Sequence, residues 1–131
     1  MELIDARWML GGALAASVAL GGQSTHAAEQ VIEAIPQIVG VESREMDSGS
    51  RRKFGGCFAS FPSGTITVSG CNSAYVTFAC DGSSSISKSQ AKLSYDNATL
   101  AYVLNTNVKI RITDQIKLDG FCTAINAQVA R

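Results

Sequence analysis

Four cysteines, Cys57, Cys71, Cys80 and Cys122, constrain the fold of this chain more than any other feature of its sequence. Zinc sites usually take their cysteine ligands in close pairs, about two to four residues apart. The gaps here are 14, 9 and 42 residues, which does not fit that spacing. An even number of cysteines without metal spacing is typical of a disulfide framework. We therefore expect a small domain with two disulfides, and the spacing leaves all three pairings open.

The N-terminal part of the chain predicts export. Residues 8–20 form a run of 13 without a charged side chain. A membrane span needs about 20 such residues, whereas this length is typical of the apolar part of a signal peptide. We expect cleavage after Ala27, with Ala28 as the second choice. Two acidic residues among the first seven are atypical of a signal, so a start at Met1 and one at Met9 both stay open. The competing interpretation is a buried N-terminal helix.

Removal of the predicted signal peptide, residues 1–27, changes the chemistry that the chain can perform. The only histidine, His26, is lost, which excludes Ser-His-Asp and Cys-His catalysis and zinc sites that use histidine. Loss of Arg7, Glu2 and Asp5 leaves 10 basic and 9 acidic residues, a net charge of +1. A nucleic-acid binder normally carries a larger basic surplus. We therefore expect a periplasmic or secreted protein that is not an enzyme and has no metal, no cofactor, no nucleic-acid partner and no stable membrane span after cleavage.

The segment after the predicted cleavage site, residues 28–53, has a mixed character. Residues 29–35 predict a short helical turn that ends before Pro36, because proline disfavours the helical conformation of the residue before it. Residues 37–42 predict a short strand. The remainder is polar and ends in the basic run 51–53. We interpret the whole segment as a poorly ordered leader.

From residue 54 onward, short alternating runs rich in β-branched and aromatic residues are separated by Gly, Ser, Asn and Pro. This pattern predicts strands joined by turns. The predicted strands are residues 55–61, 65–69, 74–80, 108–113 and 120–129.

A helix is predicted between the third and fourth of these strands. Ser87 and Gln90 have the spacing of a capping box, which places the start of the helix there. Apolar residues then recur at steps of four, three and four, as they do on one face of a helix. We expect these residues, Ala91, Tyr95, Ala98 and Tyr102, on the core-facing side, which Leu93, Leu100 and Leu104 broaden.

Residues 54–131 therefore predict a mostly β, disulfide-stabilised domain with one helix and the order β-β-β-α-β-β. A small five-stranded OB-like barrel has its helix at this place in the order, between the third and fourth strands. The alternative is an open antiparallel α+β sheet with the helix packed on one face. A domain of this size buries a modest core, so two disulfides are expected to add stability.

Four short stretches, residues 56–58, 74–80, 98–112 and 120–122, carry a resemblance to a known group of proteins. They resemble small secreted bacterial proteins of unknown function with an OB-type barrel, which are distantly similar to the B subunits of subtilase-type AB toxins. Those subunits bind sialylated glycans as pentameric rings. The resemblance implies a glycan or protein partner and a homo-oligomer. It provides no binding residue, because no glycan-contacting motif lies between Phe58 and Gly70.

The barrel also indicates which cysteines pair. Its third and fifth strands lie side by side and parallel, so Cys71, before the third strand, comes close to Cys122, near the start of the fifth. A disulfide needs Cα atoms about 4.4–6.8 Å apart. Cys57 and Cys80 then form the second pair, and the resemblance to the toxin subunits implies the same bond, since they carry cysteines at both places.

Three aspartates are the remaining candidates for chemistry. Asp81, Asp114 and Asp119 stand where turns commonly place aspartate, so we interpret them as turn residues rather than as acid–base catalysts. We therefore interpret the chain as a non-enzymatic secreted or periplasmic binding module for a glycan or a protein. The alternative is a structural or inhibitory envelope protein without a small-molecule ligand.

Overall fold

A mixed six-stranded sheet and one helix form the part of the chain that the computed structural model describes, residues 26–42 and 54–130. Across the sheet the strands follow the order β1-β5-β6-β4-β3-β2, and the β4–β6 pair is parallel while the other neighbours are antiparallel. The prediction of a mostly β domain with one helix is confirmed. In chain order the elements are β1 (Glu29–Ala34), β2 (Ile38–Val41), β3 (Cys57–Ser60), β4 (Tyr75–Thr77), α1 (Lys88–Leu104), β5 (Val108–Leu118) and β6 (Phe121–Val129).

The sheet differs from a closed five-stranded barrel in number of strands and at its edges. β1 and β2 are the two edge strands, and no ladder joins them within the described residues. Residues 35–37 connect them, so Ala34 and Ile38 lie within about 14 Å of each other even if this connection is fully extended. The sheet is therefore open, but it curves enough to bring this end of its two edge strands within that distance. The sheet agrees with the predicted alternative of an open sheet with one packed helix, except that the parallel pair β4–β6 makes it mixed rather than antiparallel.

β1 and β2 occupy residues that the sequence assigned to a poorly ordered leader. The helical turn predicted for residues 29–35 is wrong, because β1 pairs with β5 and sets Ile32 opposite Ile110. Ile32 is buried in the core by this pairing, and its partner is too distant in sequence for a local pattern to show. The strand predicted at residues 37–42 is confirmed as β2. The rest of the predicted leader, 43–53, and residues 1–25 of the predicted signal peptide lie outside the described residues.

The strand predicted at residues 65–69 is wrong, because this segment is a loop. Its backbone groups bond within the loop, to Ser73 just before β4 and to one distant side chain, and they form no ladder with a strand. The amide and hydroxyl of Thr65 both donate to the carbonyl oxygen of Pro62, at 3.1 and 2.6 Å. The side-chain amide of Gln30 donates to the carbonyl of Thr65 at 3.0 Å and accepts the N–H of Thr67 at 2.9 Å. The loop thereby places Ile66 in the core.

The helix begins and ends where the sequence predicts. The Ser87 hydroxyl accepts the N–H of Gln90 at 3.2 Å, which satisfies one of the free donors of the first turn. Asn105, in the left-handed conformation with φ of 49°, ends the helix through N–H bonds to α1 carbonyls. The described residues contain no helix with the length and apolar character needed to cross a bilayer.

The face of α1 that meets the sheet is made of small residues. These are Ala91, Ser94, Ala98 and Ala101. The helix packs mainly on β6, whose Ala124 and Ala127 are also small and buried. Because short side chains meet on both sides, the helix axis lies close to the sheet. Among the larger side chains that the sequence assigned to the core face, Tyr95 packs against the core. The prediction is wrong for Leu93, Leu100, Tyr102 and Leu104, which are 45–59% exposed.

Two disulfides connect the ends of the central strands. Cys57 and Cys80 have Cα atoms 5.7 Å apart, and those of Cys71 and Cys122 are 5.4 Å apart. This is the pairing predicted from the barrel. The prediction depends on two parallel neighbouring strands, and β4 and β6 are such a pair, with Val76 opposite Cys122. The largest fully buried side chains around them are Phe61, Val76, Phe78, Val108, Ile110 and Ile112.

Candidate functional site

A cavity of about 400 Å³ lies between the first half of α1 and the ends of β2 and β3. This volume falls within the usual range of small-molecule sites, about 300–1,000 Å³. Its lining residues are Val41, Gly56, Cys57, Cys80, Lys88, Ser89, Lys92, Tyr95 and Asp96.

The helix supplies the polar part of the cavity wall. Lys88, Lys92 and Asp96 are separated by four residues each, and Ser89 and Tyr95 lie beside them. Residues three or four apart share one side of a helix, so these side chains form a continuous row along the cavity. The capped start of α1 fixes the first of them in place.

The strands and the first disulfide supply the apolar part. Val41, at the end of β2, is opposite Cys57 in the β2–β3 ladder. Cys57 is bonded to Cys80, so the disulfide forms part of the cavity wall. The ring of Tyr95 packs edge-on against the buried Phe78, with ring centroids 5.7 Å apart. The cavity therefore has an apolar base of sulfur, aliphatic and aromatic groups.

A tight turn before β3 places Gly56 and Cys57 at the cavity. Gly55 has a φ of +76°, and a Cβ atom there would lie 2.7 Å from the Thr77 hydroxyl oxygen and 2.9 Å from the Cα of Ala79. Only glycine fits this combination of backbone angle and close approach. The Glu42 carboxylate accepts the N–H groups of Phe54 and Gly56 at 2.8 and 3.0 Å, and this holds the turn against the end of β2.

The charges around the cavity sum to a positive value. Lys92 and Asp96 form an ion pair of 2.7 Å, with 71% and 52% of their side chains exposed. Such exposed pairs contribute little to stability, typically below about 1 kcal/mol. Lys88 has no ion-pair partner among the described residues, and the first turn of α1 contains no acidic residue. The ammonium group of Lys88 is therefore available to a ligand, beside the carboxylate of Asp96 and the hydroxyl group of Ser89.

The three aspartates considered from the sequence do not meet at this cavity. Asp81 accepts the N–H of Ser83 at 2.9 Å, and Asp114 accepts the N–H of Ala28 at 2.7 Å. Asp119 adopts a φ of 51° in the turn between β5 and β6. Asp81 and Asp119 therefore lie in turns, as expected, whereas Asp114 lies within β5, so its assignment to a turn is wrong. Within residues 26–42 and 54–130, no three His, Cys, Asp or Glu side chains are grouped so that they could hold a metal ion.

An aromatic cluster on the other side of β3 is a packing feature rather than a second site. Phe58 points away from the face that buries Cys57 and Ala59, because successive strand residues alternate. Phe121 stacks between Phe54 and Tyr75, with ring centroids 4.6 and 5.2 Å apart. Since both faces of the central ring are covered, the rings stabilise one another and leave no open stacking surface at Phe121.

Sequence reasoning did not find the cavity. The signal that could have found it is the spacing of Lys88, Lys92 and Asp96 on one helix face. That spacing is also typical of any solvated helix, and nothing in the local pattern brings β2 beside α1. Of the residues assigned in advance, Cys57 and Cys80 lie at the cavity, and Cys71 and Cys122 do not line it.

Comparison with known proteins adds no relative. No family model matches the chain, and no curated protein or solved structure matches it. The resemblance to toxin B subunits thus stays a prediction, and function is argued from the cavity and the fold.

Proposed function

We propose that the protein is a non-enzymatic, extracytoplasmic binding module and that the cavity beside α1 holds a glycan. The observation that carries this proposal is the combination of groups in one small cavity. Tyr95, Val41 and the disulfide offer an apolar base, whereas the rim carries two ammonium groups, a carboxylate and a hydroxyl group. A sugar ring presents an apolar face together with hydroxyl groups that need both donors and acceptors, which this arrangement supplies.

The rigid surroundings of the cavity support a binding role. Its residues lie on a capped helix, on two paired strands and on a disulfide, so few of them need to be ordered when a ligand binds. Rigid sites lose less conformational entropy on binding, and weak individual contacts then produce measurable affinity.

The two disulfides support an oxidising location. Disulfides of this kind form and persist outside the cytoplasm. We therefore place the protein in the periplasm or among secreted proteins, in agreement with the signal peptide predicted over residues 1–27.

A glycan array tests this proposal. The labelled protein is applied to the array, and any retained glycan is then titrated against Lys88→Ala and Lys92→Ala. A hydrogen bond to a charged group contributes about 1.5–3 kcal/mol, so we expect Lys88→Ala, which removes the unpaired ammonium group, to bind at least about tenfold more weakly. Lys92→Ala should lose less affinity, because the ammonium group of Lys92 is paired with Asp96. The matched control is Lys109→Ala, which removes an exposed ammonium group from β5, outside the cavity, and should leave binding unchanged.

Two results would contradict the proposal. Equal loss of affinity in Lys109→Ala and in the cavity variants would mean that general charge, and not the cavity, attracts the ligand. No retention on any glycan would favour a protein partner or the alternative of a structural or inhibitory envelope protein. Urea unfolding of each variant shows whether it is still folded, so that a loss of binding is not a loss of structure.

A further inference from the structure

Large apolar side chains cover the solvent side of α1. Leu93, Leu100, Val103 and Leu104 are 55%, 47%, 71% and 59% exposed. Leu93, Leu100 and Leu104 are seven and four residues apart, which places them on one stripe of the helix, and Val103 lies beside them. Contiguous exposed apolar surface of this kind marks interaction sites in soluble proteins.

The stripe is not a by-product of the packing of α1 on the sheet. The helix is held through its small inner residues, and a surface helix held in this way normally carries polar residues on its outer side. Here the order is inverted, since the inner side is small and the outer side carries the large apolar groups. About half of each outer leucine is exposed to solvent and adds nothing to the core, so this exposed apolar area points to a partner.

The charged residues beside this surface, Lys92 and Asp96, decide which partner fits. The last turn of α1 carries no basic residue, whereas attachment to an anionic membrane depends on lysine and arginine near the apolar face. Lys92, at the edge of the stripe, is already paired with Asp96. The formal net charge is zero for the full chain and +1 after removal of residues 1–27, so two copies repel each other little at long range.

We propose that this stripe, residues Leu93, Leu100, Val103 and Leu104, docks against the same stripe of a second copy of the chain. Spacings of seven and four residues are those of a coiled-coil seam, in which identical helices interlock. A two-fold axis makes one patch complementary to itself. An antiparallel arrangement places Leu93 of one copy beside Leu104 of the other and aligns the two helix dipoles favourably.

The size of the surface predicts a weak dimer. The 17 residues of α1 give a length of roughly 25 Å, and a helix is about 10 Å wide. A contact of these dimensions buries a few hundred Å² on each copy, whereas a standard stable interface buries about 800 Å² on each partner. The association is therefore expected to be reversible and dependent on concentration, in the micromolar range or weaker.

Sedimentation velocity of the unmodified protein is the first test. Between about 10 μM and about 1 mM, the average mass should rise from one copy toward two, as expected for weak association. Leu104→Glu should keep the protein monomeric over this range. The matched control is Val31→Glu, which places the same charge at a residue of β1 that is 55% exposed, and it should associate as the unmodified protein does.

Paired substitutions then test the antiparallel arrangement. Leu93→Glu with Leu104→Lys sets opposite charges face to face across the two-fold axis, whereas Leu93→Glu with Leu104→Glu sets like charges together. We expect the first pair to associate at least tenfold more tightly than the second. Monomeric behaviour of the unmodified protein at all concentrations would overturn the proposal, as would association that persists in the like-charged variant. Neither result depends on whether the cavity binds a glycan, since no ligand is present.

Discussion

The two disulfides should contribute unequally to stability, and the loops that they close determine the difference. We expect the paired replacement Cys71→Ala with Cys122→Ala to lower the free energy of unfolding more than Cys57→Ala with Cys80→Ala. Alanine is chosen because Cys57 and Cys122 are almost fully buried, and a lone thiol or hydroxyl in either place would add an effect of its own. Paired replacement also prevents exchange between the remaining cysteines.

The magnitude follows from the sequence separations of 51 residues for Cys71–Cys122 and 23 residues for Cys57–Cys80. The loop-entropy relation gives about 4.1 kcal/mol for the first and about 3.4 kcal/mol for the second. The difference depends only on the ratio of the loop lengths and is about 0.7 kcal/mol. Small domains are stable by about 5–15 kcal/mol, so either loss is a large fraction of the total.

Urea unfolding, followed by far-ultraviolet circular dichroism, measures the free energy of unfolding that each paired replacement removes. The slope of the free energy against urea should rise in both variants, because an unfolded chain without the cross-link exposes more surface. A larger loss for the Cys57–Cys80 variant would refute the loop-entropy reasoning. It would show that packing of the sulfur atoms in the native state, and not restriction of the unfolded chain, is the main contribution.

Two further substitutions test individual residues. Ser94 is buried, and its hydroxyl oxygen has no hydrogen-bond partner among the described residues. Ser94→Ala should therefore raise the free energy of unfolding by about 1 kcal/mol, and a lower free energy in urea unfolding would indicate a partner for that hydroxyl. Gly55→Ala should lower the free energy of unfolding by about 2–4 kcal/mol, because the substitution combines a strained left-handed backbone with contacts under 3 Å. Gly64→Ala is the control, because Gly64 has a similar φ of +88° but no atom within 4 Å of the added Cβ, and equal losses at both glycines would contradict the steric argument.

The features that the sequence predicted correctly depend on neighbouring residues or on strand order. The helix boundaries follow from Ser87 and Gln90 at one end and an Asn-rich stretch at the other. The strands predicted at residues 108–113 and 120–129 are present as β5 and β6, and strict alternation indicated the first of them, although β5 continues to Leu118. The disulfide pairing follows once β4 and β6 are taken as parallel neighbours.

The features that could not be predicted from the sequence depend on contacts between distant residues. β1 is a strand because β5 pairs with it, and residues 65–69 are a loop because the Gln30 side chain takes the hydrogen bonds of a neighbouring strand. The core face of α1 was misassigned for a similar reason. Hydrophobicity alone assigns Leu93 and Leu100 to the interior, but α1 is turned so that its small residues face β6 and both leucines face solvent.

The small inner face of α1 links the cavity and the exposed stripe. Alanine and serine meeting alanine on β6 set the helix close to the sheet and fix its rotation. At that rotation the row from Lys88 to Asp96 faces the ends of β2 and β3, which creates the cavity. The same rotation directs Leu93, Leu100 and Leu104 to solvent. A larger residue at position 98 would push the helix outward and turn it. Such a substitution should therefore disturb the cavity and the stripe together, although Ala98 belongs to neither.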